Sequence, residues 1–209
     1  MKNLILVDHP LIKRDLTILR SRETPHDLFR LTLRRLSTLL AFAVTRDLSL
    51  KESSIYTPLE KTRGYRLNES VILVPVLRAG LGMVDGFVDL LPEAKVGHIG
   101  LFRDEETLTP VDYYFKVPKG LSRSLVILLD PMLATGGSAA AAIDYLKGRG
   151  ARKIRAVGIV AAPEGVRLLW KKHPDVPIFA AALDRQLNGK GYILPGLGDA
   201  GDRIFGTKE

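Results

Sequence analysis

From residue 71 onward the chain alternates short apolar runs with stretches of helical length, and this alternation limits the fold more than any other feature of the sequence. Residues 71–76 (VILVPV) and 125–129 (LVILL) are apolar at every position, and their lengths suit strands. Further strands are expected at 95–101, 113–117, 154–161 and 178–183. Between them, 82–91 spaces Met83, Phe87 and Leu90 helically, 138–149 is Ala-rich and is closed by Gly150, and 163–172 opens on Pro163 and Glu164. Strands without a polar face, alternating with helices, belong to an α/β fold with a mostly parallel sheet flanked by helices. Ligands of such sheets bind beyond the carboxyl ends of the strands, so chemistry is sought immediately after each one.

Ahead of the alternation, Thr24 reads as a helix N-cap with Pro25 in the first turn and Asp27 near the positive helix end. Phe29, Leu33, Leu36, Leu40 and Ala43 follow at helical spacing, so residues 1–50 are expected to form a long amphipathic arm. No repeat, low-complexity tract or Gly/Ser/Pro linker divides the chain, and residues 1–209 are read as one domain. Cys is absent and no apolar run reaches the roughly 20 residues of a membrane span, which excludes disulfide and thiolate chemistry and favours the cytoplasm. The run at residues 4–7 lacks a cleavage site and does not read as a signal peptide.

The formal charge of +8 and a pI near 9.8 favour anionic ligands. Lys and Arg come in ones and twos without an aromatic stacking motif, so neither a nucleic acid nor a membrane is expected as a partner. A single Gln and three Asn lean toward a heat-adapted source. His9, His26, His98 and His173 lack metal-ligand spacing, and Trp170 beside Leu168 and Leu169 reads as core.

Chemistry concentrates at three strand ends and in the C-terminal segment. After 126–129 come Asp130, Pro131, Met132, Leu133, Ala134, Thr135, Gly136, Gly137 and Ser138. Thr135 to Ser138, at a helix start, offer main-chain N–H groups, hydroxyls and the positive helix end to a phosphate, and Asp130 can accept hydrogen bonds from vicinal sugar hydroxyls. An ordinary capped strand–helix turn fits the bare T-G-G-S equally well. The stretch lacks the P-loop Lys and the G-x-G-x-x-G of dinucleotide folds. Arg78 leaves a strand beside small residues, suited either to a phosphate or to a structural salt bridge. Residues 100–110, with Arg103, read as a charged loop that is solvated or that closes over a charged substrate. Residues 191–203 are Gly-rich yet bracketed by apolar residues, a composition for a tight main-chain slot around a flat ring.

The string D-P-M-L-A-T-G-G-S at 130–138 resembles the phosphoribosyl pyrophosphate (PRPP) loop of type I phosphoribosyltransferases, in the version of the uracil branch. Residues 75–83 resemble that branch's pyrophosphate loop, 103–108 its mobile loop, and 191–207 its uracil-binding hood. Where most relatives have two adjacent acids, Pro131 follows Asp130 here, and a carboxylate pair is not carried over. The match is weakest at 55–67.

The resemblance implies transfer of the phosphoribosyl group of PRPP to uracil, giving UMP and pyrophosphate. It implies catalytic roles for Arg78, Arg103 and Asp199, PRPP contacts from these three and from all of 130–138, and uracil contacts from Ile193, Gly198, Asp199 and Ala200. It further implies Mg²⁺ bound mainly through PRPP with no protein metal site, a hood over 184–209, a homo-oligomer (dimer or tetramer) and, in some members, a GTP effector. Uracil offers acceptor, donor, acceptor along one edge, which main-chain amides and a carbonyl can match; cytosine cannot. The alternatives are a PRPP-binding regulator of RNA and a phosphoribosyltransferase for a purine or orotate.

Overall fold

The computed structural model describes residues 3–103 and 110–207, without the side chains at positions 102, 103 and 110–112. Strand β1 (Leu4–Leu6) leads into helices α1 (Pro10–Arg20) and α2 (His26–Val44), then a separate hairpin of β2 (Leu50–Tyr56) and β3 (Lys61–Leu67). The alternating part follows as β4 (Ser70–Leu77), α3 (Leu81–Val88), β5 (Lys95–Val96), β6 (His98–Arg103), β7 (Pro110–Lys116), β8 (Ser124–Leu129), β9 (Met132–Leu133), α4 (Gly137–Gly148), β10 (Lys153–Ala161), α5 (Pro163–Lys172) and β11 (Ile178–Leu183). The chain closes with the short ladder of β12 (Gln186–Leu187) and β13 (Ile193–Leu194) and the short helix α6 (Ala200–Phe205).

The main sheet runs β1-β11-β10-β8-β4-β6-β7, parallel throughout except for the β6/β7 pair. Its central strands are buried on both faces. Val71, Leu73, Leu125, Ile127 and Leu129 pack against Leu33, Leu36, Phe87 and Ile204 of the helices on one side. Ile72, Val74, Val126 and Leu128 pack against Ala140, Ile143, Val166 and Leu169 of α4 and α5 on the other. Two-sided burial is why these strands read as unbroken apolar runs.

Local structure departs from the sequence expectation in places that have physical causes. Thr24 does not cap α2: its Oγ1 donates to Ile18 O at 2.6 Å, so it ties off the end of α1, and Pro25 takes the cap position. The expected N-terminal arm is in fact built into the domain. β1 joins the sheet edge beside β11, and Phe29, Leu33, Leu36 and Leu40 are fully buried. The strand expected at 95–101 divides at Gly97, whose N–H bonds Leu73 O at 2.8 Å. Trp170 is not core but 40% exposed. The hairpin β2–β3 carries its apolar residues largely on the outside, Tyr56 and Leu59 among them, so no buried face marked it in the sequence. Gly150 closes α4 as expected, at φ +91° and with its N–H on Lys147 O. Among the described residues no helix is long and apolar enough to cross a membrane.

One buried acid fixes α1 to α2. Asp15, fully buried, receives Arg35 Nε at 2.6 Å and Nη2 at 2.7 Å, and Arg14 Nε at 2.8 Å. Burial alone would raise this carboxyl, but hydrogen bonds and charge from Arg35 and Arg14 outweigh it and hold it below the ordinary carboxylate range. A depressed carboxyl contributes stability above its unfolded value near 4, and that stability is lost as pH falls through the lower folded value. Asp15→Asn should therefore lower stability at pH 7 by about 1–3 kcal/mol in denaturant unfolding, with the difference from the parent shrinking below pH 4.

Candidate active site

The loops that leave β4 and β8 lie side by side at the carboxyl edge of the sheet because the two strands pair in register, Val74 with Leu128 and Pro75 with Leu129. After β4 the chain turns through Arg78, with a cis Leu77–Arg78 peptide and with Gly80 N–H on Val76 O at 2.8 Å. The Arg78 side chain is half-exposed, and its Nη2 lies 3.2 Å from Asp202 Oδ1 of α6.

After β8, Asp130 N–H bonds Val157 O at 3.0 Å, Pro131 O accepts from Ile159 and Val160, and Leu133 O accepts from Ala162 N–H at 2.9 Å. The loop is thus stitched along β10. Gly136, at φ +79°, then opens α4, and a Cβ there would come within 2.7 Å of Gly165 O on the first turn of α5. Only a glycine allows both that backbone angle and that approach. Thr135 Oγ1 accepts from Gly137 N–H at 3.4 Å, and the positive end of α4 begins at this loop.

Arg78, Asp130, Met132, Ser138 and Asp199 all line one open cleft of about 270 Å³, together with Leu101 and Gly201. A Cβ built on Gly201 would sit 3.3 Å from Asp199 Oδ1 and 3.7 Å from Arg78 Nη2, so carboxylate and guanidinium converge there. Burial pushes the Asp130 carboxyl up to about 6 against the opposing pull of the Met132 N–H, which it accepts at 3.2 Å. Asp199 also caps α6, its Oδ1 accepting from Asp202 N–H at 3.0 Å.

The segment expected to hold a base is held in shape by arginines. Arg203 donates to the carbonyls of Leu19, Leu197 (2.9 Å) and Ser21 (2.6 Å), lies 4.4 Å over the Phe29 ring, and has its pKa lowered by burial. Arg20 binds both Asp184 and Gly196. A second hollow of about 450 Å³ lies between this segment and the α1–α2 turn, with Arg20, His26, Gly198, Asp199 and Arg203 on its walls.

The structure therefore brings Arg78, Asp130, Met132, Ser138 and Asp199 to one cleft, with Pro131, Leu133, Ala134, Thr135, Gly136 and Gly137 in the loop that frames it. Ile193 and Ala200 are buried, and Gly198 borders the second hollow. Arg103 ends β6, but its side chain and the loop 104–109 lie outside the described residues. Sequence reasoning missed Arg20, Asp184, Asp202 and Arg203. A signal existed for Asp184, an acid directly after the apolar run 178–183, as Asp130 follows its own.

The family model described as uracil phosphoribosyltransferase matches residues 6–207. Curated proteins of that description from Salinibacter ruber and Fervidobacterium nodosum are 57% and 54% identical, covering 100% and 98% of this chain and 100% of each relative. A solved protein from Aquifex aeolicus is 39% identical with a TM-score of 0.93 over 97% of both chains. An adenine phosphoribosyltransferase from Trypanosoma brucei, 14% identical, shares the fold at a TM-score of 0.60 over 91% of this chain and 87% of its own. With the cleft, the phosphate-suited helix start and these full-length matches taken together, the chain belongs to the uracil phosphoribosyltransferase family.

Proposed function

We propose that this chain joins uracil to the ribose of PRPP, forming UMP and releasing pyrophosphate, at the cleft where β4, β8, α4 and α6 meet. One observation carries the assignment: the convergence of Arg78, Asp130, Ser138 and Asp199 in that cleft within a chain alike, end to end, to proteins of this activity. Main-chain N–H groups over Thr135 to Ser138 hold the 5′-phosphate, remote from the reacting bond, while Asp130 accepts from the ribose hydroxyls and the main chain of Pro131 to Ala134 shapes the floor. Arg78 and Arg103 stabilise charge on the departing pyrophosphate. The ribose carbon passes through an oxocarbenium-like state, as in glycoside cleavage.

The main chain at Ile193, Gly198 and Ala200 reads the acceptor–donor–acceptor edge of uracil, and Asp199 contacts PRPP and orients or accepts the N1 proton. The place of Gly198 and Asp199 on the wall of the second hollow supports a base slot at this segment. A Mg²⁺ bound mainly through PRPP would take most of its ligands from PRPP and water, with the Asp130 and Asp199 carboxylates, hard oxygen donors, in the same cleft. The bound cation would neutralise charge on the pyrophosphate.

The protein acts in the cytoplasm as a homo-oligomer, a dimer or tetramer. Water-facing apolar residues support a second copy as partner: Phe42 on α2 is 69% exposed and Leu59 at the hairpin tip 95%.

Offered PRPP and Mg²⁺ with uracil, cytosine, hypoxanthine or orotate in turn, the protein should consume PRPP with uracil alone, and consumption with another base instead would overturn the assignment. Arg78→Ala should lower kcat/KM for PRPP by about 100-fold or more while leaving the melting midpoint near that of the parent.

Asp130 supplies a pH dependence. A carboxyl raised to about 6 in the fold contributes its full stability below the unfolded value near 4 and loses it as pH rises through 6. Asp130→Asn should therefore stabilise the free protein at pH 8 by about 1–2 kcal/mol, less than the whole shift because the carboxyl borders an open cleft, and the gain should fade below pH 4. The same change should weaken PRPP binding, and in the parent the KM for PRPP should fall as pH rises through 6.

A further inference from the structure

Both main-chain groups of Gly196 are held by one ion pair. Its N–H donates to Asp184 Oδ2 at 2.9 Å, and its carbonyl accepts from Arg20 Nη1 at 2.9 Å. The ring closes between the charged partners, Nη1 to Oδ2 at 2.9 Å and Nη2 to Oδ1 at 2.5 Å. The Asp184 side chain is 4% exposed and that of Arg20 25%. This is strong local binding on a glycine that contacts no substrate in the proposed mechanism.

The position explains it. Gly196 has φ +65°, and a Cβ would meet Ile193 O at 2.2 Å, so the chain reverses sharply just before Gly198 and Asp199. Regular structure around it is slight: β12 and β13 pair over two residues each, and α6 has six. A main chain that must recognise a base edge needs its N–H and C=O groups fixed to a few tenths of an ångström, and a short loop does not fix itself. A bidentate guanidinium–carboxylate fork is planar and directional, and its burial removes water as a competing partner.

We infer that Asp184 and Arg20 are positioning residues for the base slot, locking the peptide groups of Gly196 so that the main chain of 198–200 meets the edge of uracil. The inference rests on the proposed function. It assigns Asp184 and Arg20 a role in specificity, although neither touches the base. The pair also joins three distant segments, α1, the end of β11 and the hood. The 5′-phosphate end of the cleft is supported separately, through the β8–β10 stitching.

Steady-state kinetics with uracil and PRPP varied independently test this. Asp184→Asn keeps the shape and removes the charge, and Arg20→Gln removes the charge and the guanidinium fork from the other side. Each should raise the KM for uracil by about 10- to 100-fold while the KM for PRPP stays within about twofold. Arg20→Lys should recover part of the loss, since one ammonium can still reach the Asp184 carboxylate. A folded variant with unchanged KM for uracil, or with both KM values raised alike, overturns the inference. Should Asp184→Asn fail to fold, Arg20→Gln, at the partly exposed end of α1, decides by the same criteria. A parent protein inert toward uracil would sink the proposed function and this inference with it, whereas an active parent with insensitive variants sinks only the inference.

Discussion

The parallel pairing of β4 with β8 is the contact on which the site depends. Residues 71–75 face 125–129 one for one, and both strands are apolar on either face, so neither can slide by one residue without moving a whole set of side chains between the two cores. Arg78 and Asp130 stand three residues and one residue beyond the last of these pairs. Their separation is therefore set by the core rather than by the loops that carry them. Parallel strands also require every crossover to pass over a face, and α4, crossing from β8 to β10, presents its N-terminus at the same edge. The anion-binding end of the cleft thus follows from the topology.

The hood is held differently. It has little sheet and a short helix, and its order comes from guanidinium groups that bridge it to α1, far away in sequence. Arg203 ties Leu197 to the end of α1 through the carbonyls of Leu19 and Ser21, and Arg20 ties Gly196 to Asp184. Buried charge is costly unless fully paired, and a hydrophobic substitute often stabilises more. An apolar clamp, however, fixes area and not direction. Where main-chain groups must point at a ring edge, directional bonds serve better.

How much of this was legible follows from the same division. The sheet, its helices and the loop 130–138 were readable because apolar periodicity and a long glycine-containing string both survive in one dimension. Thr24 misled because a threonine before proline is an ordinary cap signal, and only the turn back to Ile18 O shows that it serves the preceding helix. The hairpin β2–β3 was illegible because it buries almost nothing, and Trp170 was misread because apolar neighbours do not say which face a helix shows. Arg20 and Arg203 were missed for a further reason: their partners include main-chain carbonyls more than a hundred residues away, which no local spacing encodes. Ile193 and Ala200, singled out in the sequence, are both buried.

The two ends of the cleft therefore draw rigidity from different sources, and α1 links them. Its inner face joins the core through Ile12, Leu16 and Leu19, its middle is clamped to α2 by Asp15 and Arg35, and its last residue, Arg20, reaches the hood. A disturbance at Asp15 can pass along α1 to Gly196 without crossing the sheet, whereas Asp130 and the α4 N-terminus are fixed by β10 and α5. The hood is in this sense an extension of the N-terminal helix rather than of the strand before it. Moved onto another sheet of the same topology without α1, residues 184–207 would keep Asp184 but lose Arg20, the partner that holds the Gly196 carbonyl and pairs with the Asp184 carboxylate.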